Sequence, residues 1–400
     1  MNRTILHCDC NAFYASVETL LDPTLSAGPM AVCGDPDSRH GIILAKNEAA
    51  KAFGVKTAET VWQARRKCPP LRLVAPHREA YVRYSRLANQ IYLSYTDLVE
   101  PFGIDESFLD VTGTAHLFGS GPTIADELRA RIKKELGLTI SVGVSFNKAF
   151  AKLGSDYKKP DATTVLDCGS YQSVVWPLPV GALLYAGPRA QQKLHALGID
   201  TIGQLAAADP GALHTALGKL GDTLSAYARG EDHDPVRSFY AGHPVKSVGR
   251  GMTFPHNLTH SEEIHLQVMM LCDDIGSRLR KHGYQCQTVQ VLIRDPDFHN
   301  ISRQTALPAA TDSTRLLTET ALSLIARHWK PGKPIRMITV TACSLCAAGQ
   351  TGEQLSLFDA GAAARRQKLE RLDRAVDAMR GKYGRDALQY GGALREKKQR

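Results

Sequence analysis

The chain has 400 residues, 43% of them apolar, with 49 Lys/Arg against 40 Asp/Glu and a net charge of +9. That apolar content supports real cores and excludes global disorder. No apolar run approaches the roughly 20 residues of a membrane span. The length predicts two to four domains, and the opening MNRTILHCDC shows no apolar signal segment, so a cytoplasmic location is expected. Nine scattered cysteines, an odd number, predict reduced thiols. Residues 362–400 hold 12 Lys/Arg and 5 Asp/Glu, which leaves only +2 for the other 361 residues. A basic tail points to an acidic partner such as nucleic acid, or else to a solvated end.

In chain order, RTILHCD reads as a short strand led by Ile5, with Asp9 at its end. NAFYASVETLL follows as a helix carrying Phe13, Val17 and Leu20/Leu21 at helical spacing. PMAVCG and HGIILAK read as a strand pair, EAAKAFGV as a short helix, and TVWQARRKCP as a basic helix stopped by Pro69 and Pro70. REAYVRYSRLANQIYLSYTDLV is a long amphipathic helix, and VEPFGIDESFLDVTG reads as strand, tight turn, strand. Thr123 to Asp126 reads as a capping box for the helix IADELRARIKKEL, whose buried stripe is Ile124, Leu128, Ile132 and Leu136. TISVGVSF is a strand, and NKAFAKLGSDYKKP a lysine-bearing helix. Residues 167–233 break into short helices, with a helical hairpin placed at Gly187-Pro188, and 234–246 reads as a linker. Residues 247–345 follow the order βαββαβ, a small sheet with helices on one face, the first helix carrying Ile264, Val268, Leu271, Ile275 and Leu279. The remainder, 346–400, reads as a flexible tail.

Cys8-Asp9-Cys10 admits three readings: a thiolate metal site, a redox pair, or a buried strand presenting one carboxylate. The pair Cys343 and Cys346 lacks a second pair or nearby histidines, and ITVTACSL alternates as a strand does, so buried small residues fit better than zinc. Asp9, Asp105 and Glu106 all fall at strand ends. Carboxylates so placed suit hard divalent cations, which take oxygen ligands and substrate phosphates, although Asp-Glu pairs are also common in solvated turns. Lys51, Lys148, Lys152, Lys158 and Lys159 could hold a triphosphate as point charges, or form a solvated basic face. The hairpin at Gly187 would aim backbone N–H groups at a phosphate, or serve as a packing unit.

Taken together and in order, HCDCNAFYASVE, AKNEAAKAFGV, GIDESFLDVTG, GVSFNKAFAKLGSDYKKP and the helical hairpin resemble the Y-family translesion DNA polymerases of the DinB type, over about 345 residues. The resemblance implies a mixed α/β right-hand architecture. Its parts would be a palm (1–10 and 77–166), fingers (11–76), a helix-hairpin-helix thumb (167–233) and a βαββαβ little finger (247–345). It implies metal-binding carboxylates at Asp9, Asp105 and Glu106, with the Cys10 main-chain carbonyl assisting. Tyr14 would be the steric gate beside Phe13, and Lys51 and Lys159 would grip the triphosphate of a dNTP. Two Mg²⁺ ions are implied, with Mn²⁺ as an alternative. Primed template DNA would be held by Gly187 and, by their position on strands, Arg250, Arg303 and Arg336. A monomer without membrane association is expected.

One stretch departs from the common family pattern T-A-N-Y-x-A-R: this chain reads Ala45, Lys46, Asn47, Glu48, Ala49, Ala50, Lys51. Lysine lacks the bidentate fork of arginine, and Glu48 would repel a triphosphate unless paired, with Lys46 the expected partner. Gln354-Leu355-Ser356-Leu357-Phe358 resembles the bacterial sliding-clamp-binding peptide. Two rival classes stand beside the polymerase: a non-catalytic DNA-binding scaffold, and another palm-type or two-metal enzyme such as a cyclase or nuclease.

Overall fold

The computed structural model describes residues 3–35, 41–242, 244–349 and 360–389, and divides into two compact units, 1–242 and 243–400. The clamp-like peptide 354–358 lies outside the described residues. In the first unit the strands are β1 (Ile5–Cys10), β2 (Met30–Cys33), β3 (Ile43–Lys46), β4 (Arg72–Val74), β5 (Val99–Pro101), β6 (Glu106–Asp110), β7 (Ile140–Ser145) and β8 (Thr163–Leu166). They form a central sheet β5-β6-β1-β7-β8 and a small sheet β3-β2-β4.

Strand β1 is buried on both faces because helices cover each side of the central sheet. Leu6, Cys8 and Cys10 join the main core with Ile124, Leu128 and Ile132 from the helix Gly121–Leu136. His7 and Asp9 point the other way, toward the helix Lys148–Tyr157. Ile5 shares that second face, in a small cluster with Phe108, Ala151 and Val236, so it does not lead the main core face. Leu20 and Leu21 are exposed, unlike Phe13 and Val17.

Three local expectations are corrected. The helix Gly121–Leu136 starts before Thr123, because the Ser120 side chain accepts from the Thr123 amide and Pro122 fits the first turn. After the helix Tyr171–Val175 the chain makes only a 3₁₀ turn, Val180–Ala182, and no helix leads directly into Gly187. The helical hairpin joins Pro188–Ala196 to Ile202–Ala207 around Gly198, whose φ of +75° suits glycine. Finally, the first part of the expected linker is folded: Val236 is buried, and the Arg237 amide donates to Glu100 at 2.9 Å.

The second unit contains β9 (Ser247–Leu258), β10 (Tyr284–Arg294), β11 (Asn300–Thr311) and β12 (Ile335–Ala347), in the order β11-β10-β12-β9. The helices Ser261–Lys281 and Thr314–His328 bury Val268, Leu271, Ile275 and Leu317 against Val289, Val291, Ile338 and Val340. This is the expected βαββαβ unit. Cys343 and Cys346 sit on β12, where their thiols contact the carbonyls of Thr341 and Gln285. The tail is not wholly flexible. A helix Ala360–Tyr383 packs on this unit, with Arg280 2.6 Å from Asp377 and Arg380 2.7 Å from Asp273. No helix among the described residues is long and apolar enough to cross a membrane.

Candidate active site

Asp9 on β1 lies directly opposite Glu106 on β6 in an antiparallel pair, so both carboxylates leave the same face of the sheet. Asp105 precedes β6 in the turn, and its carbonyl accepts from the Cys10 amide at 2.9 Å, which ties that turn to the end of β1. The three acidic residues predicted from the motifs are thus brought together by one strand pairing. Cys8 and Cys10 face the opposite side, in the main core, and burial pushes both thiols well above their ordinary range.

The helix Lys148–Tyr157 closes over this face. Lys152 Nζ bridges Asp9 and Glu106 at 2.8 Å each. Lys159 lies 2.8 Å from Asp9 and 2.8 Å from Asp156. His7 Nε2 is 3.4 Å from Glu106, and its Nδ1 is 2.8 Å from Ser155. Burial works against ionising Glu106, but the approach of His7 and the hydrogen bond from Lys152 outweigh it and hold its pKa below the usual range. Asp105 behaves oppositely: burial, then the charges of Asp9 and Glu106, push its pKa up to about 6. Burial likewise lowers the pKa of His7.

Such a cluster is built for cations. Two ammonium groups already neutralise part of it, and Asp105 gains least from them. Ligand atoms of His7, Asp9 and Glu106 lie within 4.8 Å of one another. The oxygen-rich donor set fits a hard divalent cation. Another acidic group, Asp295 with Asp297 and His299, is satisfied internally: Asp295 accepts from the Asp297 and His299 amides and pairs with Lys333 at 3.3 Å.

Beside the carboxylates opens a cavity of about 500 Å³, reached by Asp9, Cys10, Tyr14, Lys51, Asp105 and Lys159. Tyr14 stacks on Tyr81 with ring centroids 4.1 Å apart and planes 10° from parallel. The Tyr81 hydroxyl donates to buried Glu18, which fixes the platform under Tyr14. Phe13 reaches the cavity lining but is only 3% exposed, so its ring belongs chiefly to the core. Glu48 is paired, though not by Lys46. It lies 3.2 Å from Lys51, while Lys46 donates to Thr57. Both members of that pair are more than half exposed, so the pairing is weak. Lys148 is engaged elsewhere, 2.8 Å from Glu100, and Lys158 is exposed beyond the helix end.

Among the expected DNA contacts, Gly187 caps the helix Pro188–Ala196, and a Cβ there would meet nothing within 4 Å. Arg250 pairs opposite Val340 and Arg303 opposite Val291, which places both on the helix side of the two edge strands. Arg336 stacks over Phe298 at 4.7 Å. Motif reading named Lys152 only as one lysine of a segment and missed His7 and Asp156. His7 had a usable signal, since it lies two residues before Asp9 on one strand.

The sequence model of the impB/mucB/samB family matches residues 8–156, and that of the family's C-terminal domain matches 245–357. A DNA polymerase IV of Acetivibrio thermocellus is 45% identical over 397 residues, covering 99% of each chain. A protein of Bacillus subtilis named DNA polymerase IV 1 is 36% identical over 99% of this chain and 94% of its own. The chain belongs to the Y family of DNA polymerases, in its DinB branch. The solved Y-family polymerase chimera Dbh-Dpo4-Dbh shares the fold, with a TM-score of 0.77 at 22% identity over 86% of this chain and 99% of its own. The protein is therefore a translesion DNA polymerase, a nucleotidyltransferase dependent on divalent metal.

Proposed function

We propose that Asp9, Asp105 and Glu106, with the Cys10 carbonyl, hold two Mg²⁺ ions, and that Mn²⁺ can replace them. The observation that carries this reading is the direct pairing of Asp9 with Glu106, with Asp105 beside them at the mouth of the cavity. Bound there, the ions would supply Lewis acidity toward the primer 3′-hydroxyl and the dNTP phosphates. The chain's own groups do the positioning. Lys159 leaves Asp9 for the triphosphate as a fixed cation. Lys51 contributes less, because Glu48 offsets its charge. Primer extension by the wild type beside a variant lacking two of the carboxylates is the deciding experiment.

Tyr14, held flat against Tyr81, presents its ring beneath the sugar and excludes a ribose 2′-hydroxyl. Tyr14→Ala should cut discrimination between dNTP and rNTP by about 30- to 100-fold, read as the ratio of kcat/KM values. Unchanged discrimination would remove Tyr14 from this role. Gly187, Arg250, Arg303 and Arg336 contact primed DNA through its backbone, so binding weakens with salt and is nearly independent of sequence.

The peptide Gln354, Leu355, Leu357 and Phe358 binds the bacterial sliding clamp, a reading supported by its aliphatic and aromatic anchors. Leu357→Ala with Phe358→Ala should weaken clamp binding about 30-fold or more. Distributive primer extension without clamp should stay at the wild-type rate. Surface plasmon resonance on immobilised clamp measures the first, and a short-template assay the second.

A further inference from the structure

The helix Val61–Lys67 in the first unit buries Val61 and Ala64 and turns Trp62, Arg65 and Arg66 outward on its opposite face. Trp62 is 65% exposed, and the Arg66 guanidinium lies 4.8 Å from its ring centroid. An indole left in water next to two arginines, outside any core cluster, is an arrangement that core packing does not account for. The other two tryptophans are engaged: Trp176 donates to the Ala228 carbonyl, and buried Trp329 donates to that of Lys333.

The location is informative. Thr57, Leu44 and Ala45 line the cavity proposed above for the nucleotide, a reading on which this inference rests. The chain between Thr57 and the helix runs beside β3, with the Ile43 amide donating to the Glu59 carbonyl and Ile42 bridged to Thr60. Ile42 is itself exposed. The surface therefore continues from the cavity edge over Ile42 and Thr60 to Trp62 and Arg66. In template-directed synthesis the template strand beyond the templating base is unpaired, so its bases offer open π-faces next to the nucleotide site.

We propose that Trp62, flanked by Arg65 and Arg66, is a stacking platform for the unpaired 5′ template strand. Base-on-aromatic stacking tolerates any sequence, which suits a polymerase. The arginines meet the phosphates and raise the favourable charge of the site. A protein partner would fit an apolar patch better than this basic one.

The test uses the full chain and fluorescence anisotropy of labelled primer-templates. One carries an eight-nucleotide 5′ template overhang, one a single-nucleotide overhang, and one eight abasic positions. Trp62→Ala should bind the eight-nucleotide overhang about five- to tenfold more weakly, and bind the other two as the wild type does. Trp62→Phe should keep most of the affinity. Wild-type tryptophan fluorescence should be quenched by the long overhang, and that quenching should be absent in Trp62→Ala. Equal affinity of wild type and Trp62→Ala for the long overhang would overturn the proposal. So would an equal loss on all three substrates. Lost binding to the sliding clamp with overhang affinity intact would assign the surface to a protein instead and also overturn it.

Discussion

Primer extension by the Asp105→Ala/Glu106→Ala double variant should fall to less than about one-thousandth of the wild-type rate, with DNA binding by anisotropy retained. The expectation rests on the strand pairing that sets Asp9 against Glu106, with Asp105 adjoining. Removing two of three carboxylates leaves Asp9, already paired with Lys152 and Lys159, as the one remaining member of the triad, too few oxygens for a divalent ion. Folding should survive. Ionised Asp105 is disfavoured in the folded chain, since its pKa there is about 6. Because that value lies above the unfolded one, the destabilisation is full above about pH 6, fades as the pH falls, and is gone below the unfolded pKa. Its removal therefore offsets part of the loss of Glu106, which Lys152 and His7 stabilise as an anion. Single-turnover extension separates the outcomes. Activity near wild type would place the chemistry at other residues. Loss of activity together with loss of DNA binding would point to misfolding.

The second large effect is structural. Gly143→Ala on β7 should destabilise the first unit by about 3 kcal/mol or more, a fall in Tm of about 10 °C. A Cβ at Gly143 would lie 1.9 Å from the Ala151 carbonyl oxygen and 2.5 Å from the Ser155 nitrogen, both backbone atoms of the helix Lys148–Tyr157. Neither can rotate away, so the helix must lift by more than an ångström. That helix carries Lys152, and Lys159 follows two residues after its end, so the lift also displaces the cations beside Asp9. The facing Gly154 is less critical, since a Cβ there would approach Gly143 Cα at 3.1 Å. Thermal unfolding monitored by circular dichroism checks the expectation. A Gly143→Ala protein as stable as wild type would show that helix and sheet need not approach so closely.

Motif order carried the family and the meeting of Asp9, Asp105 and Glu106 at one strand pairing, because each motif lies in a short stretch whose local geometry the sequence already implies. Strand alternation was enough to turn Cys8 and Cys10 away from Asp9. The period of apolar residues was enough for most helices and for the βαββαβ unit. Local reading failed at boundaries. Ser120 rather than Thr123 caps its helix, and Gly198 rather than Gly187 makes the hairpin, because several residues nearby carry similar capping or turn chemistry.

Other features were settled only by tertiary contact. Lys152 reaches Asp9 across 143 positions of sequence, and it meets Glu106 through a helix packed on a sheet face. Glu48 takes Lys51 rather than Lys46, because one turn of helix brings Lys51 beside it while Lys46 points to Thr57. A tail that reads as basic and flexible instead docks through Asp373, Asp377 and Arg380, since its partners Arg280 and Asp273 lie about a hundred residues earlier. The sequence by itself determined which side chains share a strand or helix face, because that follows from the periods of 2 and 3.6 residues. Which faces meet, and so which charge neutralises which, was decided by the tertiary structure alone, because long-range packing and desolvation act only once distant elements are in contact.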